Sequence, residues 1–424
     1  MNAQHNGHHV CVVGGGVIGA LSAFELAEAG CRVKLVDANR FGAACSHGNC
    51  GYICPSHALP LAQPGAVRQN AFKSLFPSNA LYIKPRLDRD LVGWMWRFMR
   101  RCNRRDMLYA ADALSPLLER SRDLFAELIE RHAIDCDFEQ GGLHFVYATV
   151  EGFESFAKTA DLLGERYGIA TERLDRDELV AAEPALKPES VSGAWTFPRD
   201  AHLRPDKLMA ALRKLLRDRD VEIREECEIV GARREGDKVV ALSTSSGDEI
   251  AADTFVLATG AITPVLTRTF DFDIKLPIQP GKGYSFTTDR PEHCPRVPMI
   301  FEEDHVAVTP WKSGFRVGST MEFAGYDTKL STKRLANLKR ASDRYLKASP
   351  EQPVLERWYG WRPMTPDSLP MIGRTKSIDN LIIATGHSML GLSLATATGR
   401  LVRELVQGEP THLDISAFDP DRYS

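Results

Sequence analysis

The sequence predicts an α/β protein in which a domain built on a parallel sheet is interrupted twice by an α+β lobe. Three observations carry this: a strand–glycine–helix–strand unit over residues 10–37, a buried strand ending in glycine at 254–260, and another at 381–386. At 424 residues the chain has room for two or three domains of ordinary size. Its composition, 43% hydrophobic and 26% charged, excludes a disordered or disulfide-stapled chain. Lys and Arg number 53 against 56 Asp and Glu, so there is no basic excess of the kind a nucleic-acid partner requires.

Taken in order, Val10-Cys11-Val12-Val13 is a continuous apolar run, the pattern of a strand buried on both faces. Gly14-Gly15-Gly16-Val17-Ile18-Gly19 follows at once, and Ile18, Leu21, Leu26 and Ala29 recur at helical spacing until Gly30. Val33-Lys34-Leu35-Val36 makes a second strand that ends in Asp37. Residues 44–60, rich in Gly, Ser, His and Pro, read as an irregular loop near the first domain's ligand. Helical stretches lie between Leu91 and Arg131, followed by a strand at 142–147 and a short helix at 178–186 that Pro184 breaks. An amphipathic helix from Pro205 to about Asp218 leads into strands at 221–223 and 227–232. Ser245-Ser246-Gly247-Asp248 joins 239–244 to 249–251 as a hairpin, and the buried strand at 254–260 comes next. Residues 264–353 read as a second irregular block with strand-like pieces such as 315–317. The chain closes with the strand at 381–386, a glycine-broken turn through Gly391 and a helix over 393–405.

Gly14, Gly16 and Gly19 sit between a strand and a helix, with an acid, Asp37, 21 positions after Gly16 at the end of the next strand. In that setting the first glycine allows the tight turn, the second lets backbone approach a pyrophosphate, and the third lets helix and strand pack closely. The helix N-terminus favours the phosphate charge, and Asp37 is placed to accept hydrogen bonds from ribose hydroxyls. A nicotinamide dinucleotide would need only this unit. The hairpin before 254–260 and the strand–glycine element near the C-terminus fit FAD, whose ring needs protein at the domain junction. Backbone donors over 386–393, at the start of the last helix, would face the flavin's pyrimidine edge.

Together, Gly14 to Gly19, Ser46-His47-Gly48-Asn49-Cys50-Gly51, Gly-Ala-Trp-Thr-Phe-Pro-Arg-Asp-Ala-His-Leu-Arg-Pro at 193–205, the 257–264 segment, Lys282-Gly283-Tyr284-Ser285 and the 360–400 segment resemble the D-amino-acid oxidase superfamily of FAD-dependent oxidoreductases. The nearest group is the bacterial D-amino-acid dehydrogenases, including those acting on cis-4-hydroxy-D-proline, and the likeness spans nearly the whole chain. It implies a Rossmann-type FAD-binding domain made of 1–60, 200–265 and 355–424, with a substrate-binding domain made of 61–199 and 266–354. It implies cofactor contacts from Gly14, Gly16, Val17, Ile18, Gly19, Asp37, Ser46, Asn49, Gly51, Val230, Thr259, Gly260, Gly386, Gly391, Leu392 and Ser393. Arg362, in Gly360-Trp361-Arg362-Pro363, falls where relatives place the arginine that clamps a substrate carboxylate, and a planar guanidinium suits bidentate capture. Tyr284 resembles an active-site tyrosine of the dehydrogenases, the other reading being a core tyrosine with a satisfied hydroxyl, and His387 lies in the turn beside the flavin, as a side chain or as a backbone contributor alone. Gly360 stands where sarcosine-oxidase-like relatives carry the cysteine that attaches flavin, so FAD is expected to be non-covalent.

The activity implied is oxidation of a D-amino acid to the imine and 2-oxo acid by hydride transfer to flavin, with a quinone-type acceptor. A glycine- or sarcosine-type oxidase using oxygen and a non-catalytic flavin-binding protein remain as alternatives. Residues 94–105, Trp-Met-Trp-Arg-Phe-Met-Arg-Arg-Cys-Asn-Arg-Arg, fit either a peripheral contact with an anionic membrane or a lobe helix with a solvated basic face. The polar start, 1–9, and the lack of any run of roughly 20 apolar residues point to the cytoplasm, peripheral to the inner face of a membrane in the first case. Nine cysteines, an odd number, read as free thiols of a reducing compartment. Cys45, Cys50 and Cys54 with His47 and His57 have a spacing that could in principle hold a metal or cluster, but no second ligand group with a recognised spacing follows, and no metal is expected.

Overall fold

A computed structural model describes residues 7–70, 74, 76, 77, 79–348 and 353–424. The first six residues of the polar start, and 349–352 within the second irregular block, lie outside the described residues. The strand His9–Val13 has parallel neighbours on both sides, Thr254–Leu257 and Arg32–Val36. The full sheet runs Met371–Arg374, Leu381–Thr385, Thr254–Leu257, His9–Val13, Arg32–Val36, Glu222–Arg224, with only Met371–Arg374 antiparallel to its neighbour. Both faces are covered, which is why the opening strand is apolar throughout rather than alternating. Val10 and Val12 pack with Leu21, Phe24, Leu212, Leu216 and Val402 from the helices Val17–Glu28, Pro205–Arg217 and Ala395–Gln407. Cys11 and Val13 pack on the other face against Ile229, Val239, Leu242 and Ile250 of a three-stranded antiparallel sheet. Each such aliphatic side chain contributes about 1.5–3 kcal/mol when fully buried.

The second sheet has nine strands, with Val354–Met364, Gln279–Thr288, Gly314–Phe323 and Val306–Trp311 in that order at one end. One face of these strands packs on the helix Thr332–Tyr345 through Tyr284, Phe286, Val317, Leu335 and Leu338. The opposite face looks toward the first domain. The block expected to be irregular is thus mostly ladder. Its Gln279–Thr288 strand is buried at all ten positions and carries Gly281 and Gly283, so it shows neither alternation nor β-branched enrichment. The supposed loop at 44–60 likewise holds a turn of helix, Cys45–Gly48, and a strand, Tyr52–Ile53, paired with Ala201–His202.

The partition inside the chain also moves. Residue 355 falls within Val354–Met364, which pairs with Gln279–Thr288 from Gln279↔Met364 to Thr288↔Val354, so the return to the first sheet comes at Met371–Arg374. Helix Arg104–His132, expected in the lobe, packs on Ala395–Gln407: Leu114, Leu117 and Leu118 meet Leu394, Ala397 and Leu401, and Ser121 Oγ is 2.8 Å from Thr396 Oγ1.

Candidate active site

The strand ends at the carboxyl edge of the first sheet bring Gly14, Asp37, Thr259 and Gly386 into neighbouring positions, where open α/β sheets hold ligands. Gly14 has φ +109°, and a Cβ there would lie 2.5 Å from Ala258 O. A Cβ on Gly19 would lie 1.9 Å from Gly14 O, so the helix sits directly on the turn. That helix starts from Gly16 with no side-chain cap and no acid in its first turn, which leaves its positive end to an anion. Ser46 Oγ accepts the Val17 N–H at 2.8 Å, and Ile18 packs against the adjacent core. Asp37 Oδ2 accepts from Gly15 N and Oδ1 from Asn39 N, both at 2.7 Å, holding the carboxyl against the turn. Burial raises the Asp37 pKa above its ordinary value, and the two backbone N–H groups oppose this. These features fit a dinucleotide's phosphates and ribose.

At the neighbouring strand ends, Gly260 O accepts from Thr263 Oγ1 at 2.8 Å and Thr385 Oγ1 at 2.9 Å, and Thr259 Oγ1 meets Thr263 Oγ1 at 2.9 Å. Asn49 shapes its own loop: Nδ2 donates to Ser46 O and Oδ1 accepts Gly51 N–H. Ser393 Oγ donates to Tyr52 O and accepts the Cys54 N–H, knitting this loop to the 386–393 turn. Leu392 is buried at the end of that turn, and Gly391 lies against His387. The helix that follows, Ala395–Gln407, again has neither side-chain cap nor first-turn acid.

On the other side of the junction, strand parity sets the site. Gly281↔Arg362, Gly283↔Gly360 and Ser285↔Trp358 are cross-strand pairs and share one face, with Gly318 opposite Ser285 in the next strand. Four glycines therefore floor this face. A Cβ on Gly283 would lie 2.5 Å from the Arg362 guanidinium carbon, one on Gly360 2.2 Å from the Trp358 ring, and one on Gly318 2.7 Å from Cys50 Sγ. The Ser46–Gly51 loop lies over this floor: Ser285 Oγ donates to Gly48 O at 2.7 Å and Cys45 Sγ to Trp361 O at 2.8 Å. Arg316, fully buried, donates to His47 O and Asn49 O at 2.8 and 2.9 Å, and pairs with Glu356 at 3.1 Å. Glu356 in turn bonds His47 at 2.5 Å, and this bond holds its carboxyl below the usual range. Arg316 and Glu356 went unnoticed in the sequence. The available signal was an arginine between Phe315 and Val317 in a strand, since such a charge is buried only when paired.

Arg362 is half-buried and donates from Nη1 to Thr320 O at 2.7 Å. Among the described residues no carboxylate lies within ion-pair reach of it. Burial lowers its pKa, offset by the Cys45 and Cys50 thiols facing it, and burial pushes those thiols up to about 12 and about 11. The arrangement is a fixed cation lying on a glycine floor beside neutral thiols.

Two expected catalytic side chains do not join it. Tyr284 follows Gly283 and therefore points to the opposite face, where it is 1% exposed and its hydroxyl donates to Glu322 Oε2 at 2.5 Å. His387 is 2% exposed, bonds Thr398 Oγ1 through Nε2 at 3.1 Å, and is pushed down to about 3 by burial. The ring is neutral at physiological pH; its carbonyl, accepting Leu390 N–H at 2.8 Å, shapes the turn. Val230 is the extra residue of a bulge between Ile229↔Thr244 and Gly231↔Ser243, and its side chain is exposed.

The cysteine cluster divides. Cys45 and Cys50 border Arg362, whereas Cys54 meets His57 and Asp200, with ligand atoms within 4.8 Å of one another. Those atoms already bond: Ser56 Oγ reaches Asp200 Oδ2 at 2.5 Å and His57 Nδ1 at 3.1 Å, and Cys54 Sγ reaches Ser393 Oγ at 3.5 Å. Burial raises Asp200 to about 7 and lowers His57 to about 4. In helix Arg89–Arg101, Leu91 and Trp94 are buried, with Trp94 Nε1 donating to Met364 O at 2.8 Å. Val92, Trp96 and Met99 are exposed on its outer side, with Arg100 stacked 4.7 Å from the Trp96 ring. No described helix is long and apolar enough to cross a membrane.

Comparison with known proteins agrees with this geometry. The family described as FAD dependent oxidoreductase, DAO, matches residues 9–405. A D-amino acid dehydrogenase of Methylobacterium nodulans is 33% identical over 421 residues, covering 96% of this chain and 98% of that protein. One from Agrobacterium fabrum is 31% identical, covering 98% of this chain and all of its own. Among solved structures, glycine oxidase from Geobacillus kaustophilus superposes with a TM-score of 0.79 at 23% identity, covering 98% of this chain and 100% of that one. L-proline dehydrogenase from P. horikoshii gives 0.72 at 21%, covering 99% and 98%. A glycine turn that fits a dinucleotide's phosphates and a match over nearly the full length converge: the chain belongs to the DAO family of FAD-dependent oxidoreductases.

Proposed function

We propose that the protein oxidises a D-amino acid, held by its carboxylate on Arg362, and passes the electrons to a quinone-type acceptor rather than to oxygen. One observation carries the reading: a guanidinium with no carboxylate partner among the described residues, fixed on a glycine floor that faces the cofactor loop. A charge so placed awaits a counter-charge, because an unpaired charge in such a site costs several kcal/mol. The name shared by the full-length relatives supports the substrate class.

The Gly14–Gly19 turn with the helix behind it would hold the FAD pyrophosphate and Asp37 the adenosine ribose. The 46–51 loop and the 386–393 turn would hold the ring. Bound FAD supplies a two-electron acceptor for the substrate Cα hydride. This chain's residues bind and orient. Arg362 would fix the carboxylate, the glycines let the guanidinium and the Trp358 ring lie directly on the sheet, and the Cys45 and Cys50 thiols border the guanidinium without charge. With Tyr284 on the far face and His387 neutral and bonded, neither serves as base, so the amine enters neutral. The nitrogen lone pair forms the C=N bond as the Cα–H bond breaks with its electron pair. The imine leaves for hydrolysis to a 2-oxo acid and ammonia. A cyclic substrate such as D-proline or cis-4-hydroxy-D-proline keeps its nitrogen in the ring at this step.

FAD should be non-covalent. Gly360 offers no side chain, and Cys45, though near, is held as a thiol. Acid precipitation should release the colour. The exposed Val92, Trp96 and Met99, set among Arg89, Arg97, Arg100 and Arg101, fit a peripheral contact with an anionic membrane where a quinone is reached. The test is anaerobic flavin bleaching by D-amino acids and by their decarboxylated amines, followed by reoxidation with a soluble quinone or with oxygen. Strong preference for the acid and fast reoxidation by quinone are expected. Stoichiometric peroxide at comparable speed would overturn the acceptor, and equal bleaching by the amines would overturn the carboxylate site.

A further inference from the structure

The strand Gly314–Phe323 is irregular just where it meets Arg362. Lys282 pairs with Glu322 and Tyr284 with Ser319, so Thr320 and Met321 together stand opposite Gly283 alone. Ser319 and Thr320 have φ of +97° and +56°, a region that side-chain-bearing residues avoid and β-branched ones avoid most. Neighbours hold the distortion in place: Met321 N–H donates to Ala80 O at 2.8 Å, and Arg334 Nη2 donates to Met321 O at 3.1 Å. The outcome is that Thr320 O faces Arg362 Nη1 at 2.7 Å.

The identity of the residue at this position is the informative part. Glycine would adopt the same backbone without strain, and this face of the sheet uses glycine freely. The position instead carries a threonine, 4% exposed, whose Oγ1 has no hydrogen-bond partner among the described residues. A strained backbone and a buried, unsatisfied hydroxyl on one residue are each unfavourable, and both occur where a ligand completes a site.

We propose that Thr320 is the second anchor of the carboxylate subsite. Its carbonyl aims one arm of Arg362, and its hydroxyl donates to the substrate carboxylate held on the other arm. This rests on the carboxylate reading of Arg362 and deepens it. Substrates lacking the carboxylate gain nothing from the hydroxyl, so Thr320 helps set the preference for amino acids over simple amines.

The experiment measures anaerobic flavin bleaching of the holoenzyme by D-alanine, D-proline and glycine, giving a dissociation constant and a limiting rate, alongside the thermal midpoint. Thr320→Val, which keeps shape and loses the hydroxyl, should weaken binding by about 10- to 100-fold, as expected for a hydrogen bond to a charged group, with the limiting rate within about threefold of wild type. Thr320→Ser should recover most of the affinity. Thr320→Gly should show the same loss of affinity with a higher thermal midpoint, because the strain is relieved, and a merely structural threonine would not produce that pairing. Affinities of the valine and glycine variants within about twofold of wild type, while Arg362→Lys still loses affinity, would overturn this proposal and leave the functional reading intact. If Arg362→Lys is also unchanged, or wild type is bleached by none of the three, both readings fall.

Discussion

The two walls of the junction are built by different means. The cofactor side is local in sequence: Gly14, Gly16 and Gly19 follow one another, and the Asp37 that braces them ends the next strand. The groups it offers a ligand are backbone N–H groups, which consecutive residues place by turn geometry alone. The side proposed to hold substrate is assembled by register. Gly283, Thr320 and Arg362 come from three strands, and only the pairing of those strands puts them on one face. A local device tolerates no shift of its own backbone, whereas a register-built site can lose a side chain and keep its frame.

That contrast predicts the largest effect on the local side. Gly19→Val would drive a Cβ into a backbone carbonyl that cannot rotate away, since the clash is at 1.9 Å with Gly14 O. The expected product is insoluble or lacks flavin, read as flavin content per chain. A soluble yellow Gly19→Val protein would show that the turn is looser than its packing indicates.

Next in size is Arg362→Ala. Removing one partner of a buried, hydrogen-bonded charge pair typically costs about 2–5 kcal/mol, which is roughly 30-fold to several thousand-fold in kcat/KM. Arg362→Lys should recover only part of this, because it restores the charge without the fork. Flavin content should stay at the wild-type level in both, and loss of flavin would mean that the two walls are not separable.

The sharpest comparison with Gly19 is another glycine. A Cβ on Gly283 meets the Arg362 guanidinium at 2.5 Å, the far end of a flexible side chain rather than backbone. Gly283→Ala should therefore fold and bind FAD but displace Arg362, lowering kcat/KM by on the order of tenfold with little change in thermal midpoint. Equal damage from Gly19→Val and Gly283→Ala would erase the distinction between the walls.

The same distinction explains what could be read from the chain beforehand. Strand, turn and acid of the first βαβ unit were legible because their spacing is their geometry. Arg362 was singled out by resemblance, as one residue in a short motif. The glycine floor was not, because Gly281 and Gly283 look like loop residues until Arg362 and Gly360 are paired opposite them. The Thr320 bulge had no signature at all, since its extra residue is defined by the partner strand. For Tyr284 the active-site and core readings differ by a single position, and in a strand one position is a change of face.

The smallest predicted effect tests that last point. If Tyr284 belongs to the core, its hydroxyl serves Glu322 and not the substrate. Tyr284→Phe keeps the ring packed against Phe286, Val317 and Leu338 and removes only the donor. Glu322 then loses a bond, although Arg334 remains close enough to be a favourable charge, so the cost falls at roughly 1–2 kcal/mol of stability. For a chain this long that lowers the thermal midpoint by only a few degrees. Activity should be untouched: kcat/KM for a D-amino acid within about twofold of wild type and an unchanged pH profile, since burial raises the phenol's pKa far from any working pH. An active-site tyrosine would behave in the opposite way, losing tenfold or more in kcat with little effect on melting. A large kinetic loss in Tyr284→Phe would therefore mean that the substrate reaches through the sheet to its other face, which the register of Gln279–Thr288 against Val354–Met364 forbids.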